Sequence, residues 1–440
     1  MYQKTPWTPH EIISTTRMNN IEQGIYQSSI GGNSIPVVNL TGDTSDLETG
    51  KKSTLSFDFN DGNQEIEGYV KIKWQGNSSQ NYPKKNYKIT IYSDSGLKNA
   101  YNIQPKKSWL PCNTFNLKAN WIDCLQARNL MNAELVRQMT LDRIYYYYHV
   151  DTSAPSRPST IDLSTYYQSQ AFGEMQGFFV EVYINGVDKG LYTFNTNKNA
   201  VSFNMDPSNA NHIAIEDNNG GHVPAGLLNV DSDDLYGTNF DPITPSEVTP
   251  AMQTAFNAFL KFVNSSTDAD FLANAYNTID INAAIDNYLI SEALDIEDTQ
   301  DKSLLYLTYD AKYWIPTLYD LDSGNGLHWD GTLHADYQNY HADGGINHLY
   351  ARILTSFHDR VVARYQYLRK TILTPDHIVE LFKNHVNSIS SYYFDNEKKI
   401  WPNLPSSDTN TIEYMQWYIP VVLVEMGQLK YIKSLAGLHF

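Results

Sequence analysis

Three stretches in the first hundred residues alternate polar and apolar side chains with a period of two: STLSFDF (53–59), IEGYVKIKW (66–74) and KNYKITIYS (85–93). A period of two puts every second side chain on one face of a strand, so each stretch must bury one face and expose the other. DG, GN and NYP signals separate them and mark turns. A fourth stretch, GFFVEVYINGVDKGLYTF (177–194), has Asn185-Gly186 at its middle. That pair favours the left-handed conformation at both central residues of a two-residue hairpin. The chain therefore begins as antiparallel sheet over about 36–95 and returns to it near 177.

Between and after these strands the period changes. In CLQARNLMNAELVRQM, Ala127, Met131, Leu135 and Met139 recur every four residues, which predicts a helix. NAAIDNYLISEALDI repeats the pattern, with an apolar stripe of Ile285, Tyr288, Leu289, Ala293 and Ile296. Residues 202–250 are rich in Asn, Asp, Gly and Pro and read as long polar loops, whereas the chain after about 350 reads as mainly helical. The tyrosine run 145–148 is compatible with a strand whose alternate faces are buried. Strands followed by segregated helices define an α+β chain.

Bulk composition narrows the function. The net charge of −17 over 440 residues argues against broad nucleic-acid binding or docking on anionic lipid, since both need a basic face. No apolar run approaches the roughly 18 residues of a membrane span, and the N-terminus lacks the apolar core of a secretory signal. The two cysteines, Cys112 and Cys124, read as buried free thiols. The 32 tyrosines suit half-buried strands and wet contact surfaces. Residues 1–34 look separate. They contain an amphipathic helix candidate, with Met18, Ile21 and Ile25 on one face, that ends in a flexible GGNS. Such a helix must pack on another domain or on copies of itself.

The stretch DTQDKSLLYLTYDAKYWIPTLYDLDSGNG (298–326) carries the chemistry. Its middle reads as a hairpin of SLLYLTY (303–309) and YWIPTLY (313–319), which brings Ser303 beside Tyr319 and Asp320. Asp298 precedes Ser303 by five residues and can fold back to the same end, as can Asp322. Close carboxylates repel unless a cation lies between them, and Mg²⁺ suits carboxylate and hydroxyl oxygens while leaving positions open for phosphate. The spacing matches a phosphoryl-transfer layout: a base, a metal ligand five residues on, a hairpin, then a metal-binding aspartate. The alternative is that Asp298 caps a turn and Asp320 ends a strand. Two other acidic groups read as solvated loops: the His-x-Asp pairs at His328/Asp330, His334/Asp336 and His341/Asp343, and the turn Asp231–Asp234.

Four motifs in order resemble those of the spore-coat protein H (CotH) kinase family, over roughly residues 36–400. They are WQGNSSQNYPKKNYKI (74–89), WIDCLQARNLMNAEL (121–135), the NGxxxGLY hairpin 185–192, and DTQDKSLLYLTYD with WIPTLYDLDSGNG. The resemblance implies an atypical protein-kinase-like fold with a β-rich N-terminal lobe and a helical C-terminal lobe, using ATP and Mg²⁺. It implies Asp298 as the catalytic aspartate, with Asp320, Ser303 and Asp322 at the metal. Lys84, Lys85 and Lys88 become candidates for the phosphate-contacting lysine, with Glu134 as its ion-pair partner. Gly76, Asn77, Ser78 and Ser79 would supply donors to phosphate oxygens, and Arg128 belongs to the helix-start motif. Two departures weaken the match: Ser303 occupies the slot of a metal-binding Asn, and Gln75 occupies that of an Arg.

PWTPHEIISTTRMNNIEQGI, near the N-terminus, resembles the opening of bacteriophage tail, baseplate and fibre proteins. It implies attachment to a virion or the start of a trimeric bundle. The resulting expectation is a virion protein of the tail or fibre apparatus with partners among other virion proteins and a bacterial cell-surface or protein phospho-acceptor. Its parts would be an attachment segment (1–34), a kinase-like domain (35–345) and a helical C-terminal part (346–440). The alternative is an inactive structural or host-binding protein that reuses the fold.

Overall fold

The computed structural model describes residues 34–151, 164–168, 172–218, 240–296, 299, 302–333 and 347–427. The N-terminal helix candidate, Asp298, Asp231–Asp234 and the histidines at 334 and 341 lie outside the described residues. The strands are β1 (Val37–Thr41), β2 (Ser53–Asn60), β3 (Glu65–Trp74), β4 (Tyr87–Tyr92), β5 (Thr114–Lys118), β6 (Gly177–Ile184), β7 (Val187–Thr196), β8 (Ile213–Asn218), β9 (Phe240–Thr244), β10 (Lys302–Thr308) and β11 (Ile315–Leu318). The helices are α1 (Arg128–His149), α2 (Ser164–Gln168), α3 (Pro250–Ser265), α4 (Asp268–Thr278), α5 (Ile281–Leu294), α6 (His348–Ser356), α7 (His358–Leu368), α8 (Pro375–Val386), α9 (Ser391–Ile400) and α10 (Ile412–Gly427). The chain is thus mixed α and β, β-rich first and helical later. No helix among the described residues is long and apolar enough to cross a membrane.

Contacts divide the chain into two discontinuous units. The first takes Met1–Gln126, Gly177–Asn197 and Lys383–Ser407, and the second takes the rest. The segment 346–440, read from sequence as one helical part, is therefore shared, and α9 belongs to the first unit.

The first unit is a closed barrel in the order β1-β2-β3-β4-β5-β7-β6, a closure not anticipated from the sequence. Every neighbouring pair is antiparallel except β1 with β6, where Val37 faces Glu181. Closure follows from the one-sided strands: curling the sheet on itself buries the apolar face and removes both edges. Leu55, Phe57 and Phe59 of β2 are buried while Thr54 and Ser56, on the alternate face, are exposed. Phe115, Phe178 and Phe194 pack together inside, with Phe115 and Phe194 ring centroids 4.8 Å apart and Phe178 and Phe194 5.5 Å apart. At the β6–β7 turn, Asn185 (φ 52°) and Gly186 (φ 74°) are both left-handed, as the Asn-Gly pair predicts. The Asn185 amide also brackets the end of β1, accepting from the Gly42 N–H at 2.9 Å and donating to its carbonyl at 3.0 Å. β5 and β7 break the alternation. Asn116, Lys118, Thr193 and Asn195 are buried as deeply as the apolar residues between them.

The second unit holds a four-stranded sheet, β11-β10-β8-β9, and helices around α5. Here the structure corrects the reading of 202–250 as loops, since that stretch contains β8 and β9. Their Asn- and Asp-rich flanks hid them. β9 lies at a sheet edge, where its Pro242 is tolerated. Helix α5 is buried all round instead of along one stripe. Its buried Asp286 is held by Arg364 at 2.8 and 3.1 Å and by Arg143 at 3.3 Å. The tyrosine run is the end of α1, not a strand. Tyr146 is buried with its ring under the Arg364 guanidinium, whereas Tyr145 on the next face is exposed. Both cysteines are buried, and neither forms a disulfide among the described residues.

Burial also sets a pH dependence. Glu174, preceded by two left-handed residues (Phe172 and Gly173), is buried and accepts a long 3.4 Å bond from Thr140, with no partner for Oε2 among the described residues. Desolvation pushes its carboxyl up to about 8, and burial beside Asp188 pushes Glu181 of β6 equally to about 8. A raised carboxyl stabilises the fold fully below its unfolded value and loses that contribution as pH rises through about 8. Each group should therefore steepen the fall in stability across this window by about 1.4 kcal/mol per pH unit at most. Glu174→Gln should remove about half of the combined slope, measured as the difference in urea midpoint between pH 5 and pH 8.5. An unchanged slope would show that Glu174 is ionised in the folded protein.

Candidate functional site

The first unit contains a buried lysine centre built by two sequence motifs and by two residues, Ala119 and Glu397, that neither contains. Lys84, in the PKKNY segment, is 1% exposed. Its ammonium donates to the Ala119 carbonyl at 3.2 Å, to the Leu191 carbonyl and to Glu397 Oε1 at 2.6 Å. The Tyr192 ring lies 4.3 Å from the same nitrogen. Glu397 comes from α9, and its Oε2 accepts from the Leu191 N–H at 2.7 Å. Gly190 admits the carboxylate. It has φ 86°, and a Cβ there would lie 2.1 Å from Glu397 Oε2. The Tyr192 hydroxyl closes the circuit by donating to the Lys85 carbonyl at 3.2 Å. Burial pushes Lys84 down and Glu397 up, while their mutual contact opposes both shifts.

A lysine ammonium has three protons, and this geometry uses all of them within the first unit. Lys85 folds back onto its own segment, donating to the Gln80 and Tyr82 carbonyls at 2.8 and 2.5 Å over the Trp74 ring. Lys88 lies on the β4 face opposite to Tyr87 and Ile89, across from Lys73. Gly76 to Ser79 form a tight turn. Gly76 (φ 102°) has room for no Cβ, because Ser79 Oγ sits 1.9 Å from where one would be, and Asn77 and Ser78 are exposed. Glu134 is engaged by Arg137 at 2.6 and 2.5 Å and by Gln138 at 3.0 Å. The carboxylate that pairs with Lys84 is Glu397.

The second unit contains the Asp320 turn. The hairpin forms as the sequence predicts, with Leu304 opposite Leu318, and the Tyr319 N–H donates to the Ser303 carbonyl at 2.8 Å. Ser303 (φ 58°) sits at a bulge in β10, and Asp320 (φ 61°), Gly324, Asn325 and Gly326 are all left-handed. A turn with this much unfavourable backbone needs outside support. The first turns of α1 supply it. Arg128, fully buried, donates to the Gly324 carbonyl at 3.0 Å, the Asn325 carbonyl at 3.2 Å and Asn410 Oδ1 at 2.9 Å. Asn129 donates to Asp320 Oδ1 at 2.8 Å and accepts from the Leu321 N–H at 3.0 Å. Asn132, three residues on, donates to the Leu321 carbonyl and accepts from the Asn325 side chain, at 2.9 and 3.0 Å. Asp322 is half-buried on the same turn.

Two residues that the sequence did not single out lie here as well. Glu216 of β8 is paired with Lys198, whose ammonium also sits 5.5 Å from the Tyr319 ring. Burial holds Glu216 above the usual carboxylate range against the Lys198 contact, and the charges of Asp320 and Asp241 add to that shift. Glu216 went unseen because its strand read as loop. Asn129 and Asn132 had a signal, namely two amides three residues apart at a helix start. Among the described residues no three His, Cys, Asp or Glu side chains cluster to hold a metal. Asp320, Ser303 and Asp322 offer hard oxygens of the kind that bind Mg²⁺ when phosphate completes its shell. Asp330 caps its own turn through Thr332 at 2.9 and 2.7 Å, in keeping with a loop.

A β-rich unit built around a buried lysine–glutamate pair, and a helical unit that frames an aspartate turn, place the chain among mixed α+β proteins with a kinase-type set of motifs. The CotH kinase protein family matches residues 72–420, most of the chain, and the protein belongs to that family. No curated protein matches it.

The lysine centre makes a stability prediction. Lys84→Met strands a buried carboxylate and should cost roughly 3–5 kcal/mol in urea denaturation, whereas Lys84→Met with Glu397→Leu should recover much of that loss. If the single and double variants are equally destabilised, the pair is not the source of the cost.

Proposed function

We propose that the protein is an atypical kinase that transfers phosphate from ATP to a protein hydroxyl in a Mg²⁺-dependent reaction. The observation that carries this reading is the Asp320 turn. A carboxylate is oriented by Asn129, beside Ser303 at the end of a hairpin, on a left-handed backbone position that its neighbours brace. Orientation of a carboxylate by a neighbouring amide is what a metal ligand requires. Asp320, with Ser303 and Asp322, would hold Mg²⁺, which when bound neutralises charge on the β- and γ-phosphates. Asp298 would orient or deprotonate the acceptor hydroxyl. We read the fold as an atypical kinase-like one, and Gly76–Ser79 as donors to phosphate.

Ser303 favours a second reading. A neutral hydroxyl is a weaker ligand than the amide expected there, and a structural or host-binding protein that reuses the fold tolerates it. We place the chain in a phage tail or fibre on its N-terminal resemblance, and both readings fit that placement.

Incubation with γ-labelled ATP and Mg²⁺ should label the protein itself or a supplied protein acceptor. Asp320→Ala and Asp298→Ala should each lower the rate at least about 100-fold, the scale on which one positioned catalytic group contributes. Wild-type protein that takes up no label and shows no MgATP-dependent rise in melting temperature would leave only the structural reading. Label that persists in Asp298→Ala would remove the role given to that residue.

A further inference from the structure

We propose that Lys198 is the lysine that contacts the nucleotide's β- and γ-phosphates, oriented by Glu216. The inference rests on the nucleotide reading above and moves the phosphate contact away from the PKKNY lysines. Of those, Lys84 spends all three donors on Ala119, Leu191 and Glu397 at 1% exposure, and Lys85 is turned back onto Gln80 and Tyr82. Lys198 is differently placed. Among the described residues its ammonium makes one hydrogen bond, to Glu216, which leaves two donors for a ligand, and its side chain is 28% exposed. It stands over the Tyr319 ring, and Tyr319 directly precedes Asp320. Glu216, which holds it, is close enough to Asp320 for the two charges to interact. A cation and a carboxylate positioned for metal are thus linked through Tyr319 and Glu216.

The chemistry of the pair fits a polyphosphate. Mg²⁺ held by Asp320 would neutralise part of the charge of a polyphosphate, and a lysine beside that carboxylate would offer phosphate oxygens a charge-assisted hydrogen bond. Glu216 is mostly buried, whereas the Lys198 side chain is partly exposed. The glutamate therefore acts as an anchor that fixes the lysine stem's direction and leaves the ammonium able to take a second anionic partner. Lys198 touches substrate in this scheme, and Glu216 is a positioning residue.

The test is equilibrium binding of MgATP and of AMP to the full chain by calorimetry, for wild type, Lys198→Met, Lys198→Arg, and Lys198→Met with Glu216→Gln. The double variant guards against a fold disturbed by a stranded buried carboxylate. Both Met variants should bind MgATP roughly tenfold more weakly, the loss expected for one charge-assisted hydrogen bond. Their AMP affinity should stay within about twofold, because AMP lacks the β- and γ-phosphates. Lys198→Arg should restore most of the MgATP affinity. If wild type binds MgATP and both Met variants bind it equally well, the lysine assignment falls while the nucleotide reading stands. Equal losses for AMP and MgATP would make Lys198 a structural partner of Glu216 and overturn the assignment. Wild type that binds neither nucleotide removes both readings.

Discussion

The Lys84–Glu397 pair joins residues 313 positions apart at 2.6 Å, and the composition of the β-rich unit depends on it. Two ions taken out of water lose hydration worth several kcal/mol each, and their attraction repays this only when every remaining donor and acceptor is also satisfied. Here they are satisfied. The ammonium has three acceptors and a ring face, and the carboxylate takes the Leu191 N–H on its second oxygen. The NGxxxGLY motif gains a physical meaning from this arrangement. Gly190 lets the carboxylate approach, Leu191 donates with its N–H and accepts with its carbonyl, and Tyr192 lies over the ammonium and ties down the Lys85 backbone. Glu397 also explains why Lys383–Ser407 belongs with the barrel although it is distant in sequence.

The helical unit solves a comparable problem with neutral groups as well as charge. The turn 320–326 contains four left-handed residues, two of them non-glycine. Each such non-glycine residue is costly unless its surroundings determine it. Arg128, Asn129 and Asn132 present one face of α1 to that turn and bond its carbonyls, an N–H and a side chain in register. Asn129 uses both ends of its amide, so the N–H of Leu321 and the carboxylate of Asp320 are fixed relative to each other. Gly324 has no space for a Cβ, since Ile296 and the Leu294 carbonyl would each lie 2.7 Å from it. The orientation of the Asp320 carboxylate is thus inherited from a helix start.

What the sequence made legible follows from how local each signal is. Alternation in STLSFDF and the Asn185-Gly186 pair depend on neighbours within a few residues, and both appear as β2 and the β6–β7 turn. The hairpin 303–319 was readable for the same reason, and with it the closeness of Ser303 to Tyr319. Closure of the barrel was not, because the parallel pairing of β1 with β6 joins segments about 140 residues apart by a pattern no short window contains. The partner of Lys84 was hidden likewise. Glu134 lay near a motif and looked eligible, but its carboxylate is taken by Arg137, one turn away on its own helix. β8 failed to register because its apolar alternation is short and its borders are polar, and Glu216 was lost with it.

The two lysine environments divide structure from chemistry by the arithmetic of donors. An ammonium that has satisfied three protein acceptors in a dry site gains nothing from a ligand unless it first breaks one of those bonds, at the full desolvation cost of the group it abandons. An ammonium with one protein partner and part of its surface in water has already the geometry to accept a second anion. Lys84 is of the first kind and Lys198 of the second. A motif lysine can thus support a fold through burial alone, while the lysine proposed to serve a ligand lies outside any motif, after the strand that carries NGxxxGLY and beside Glu216.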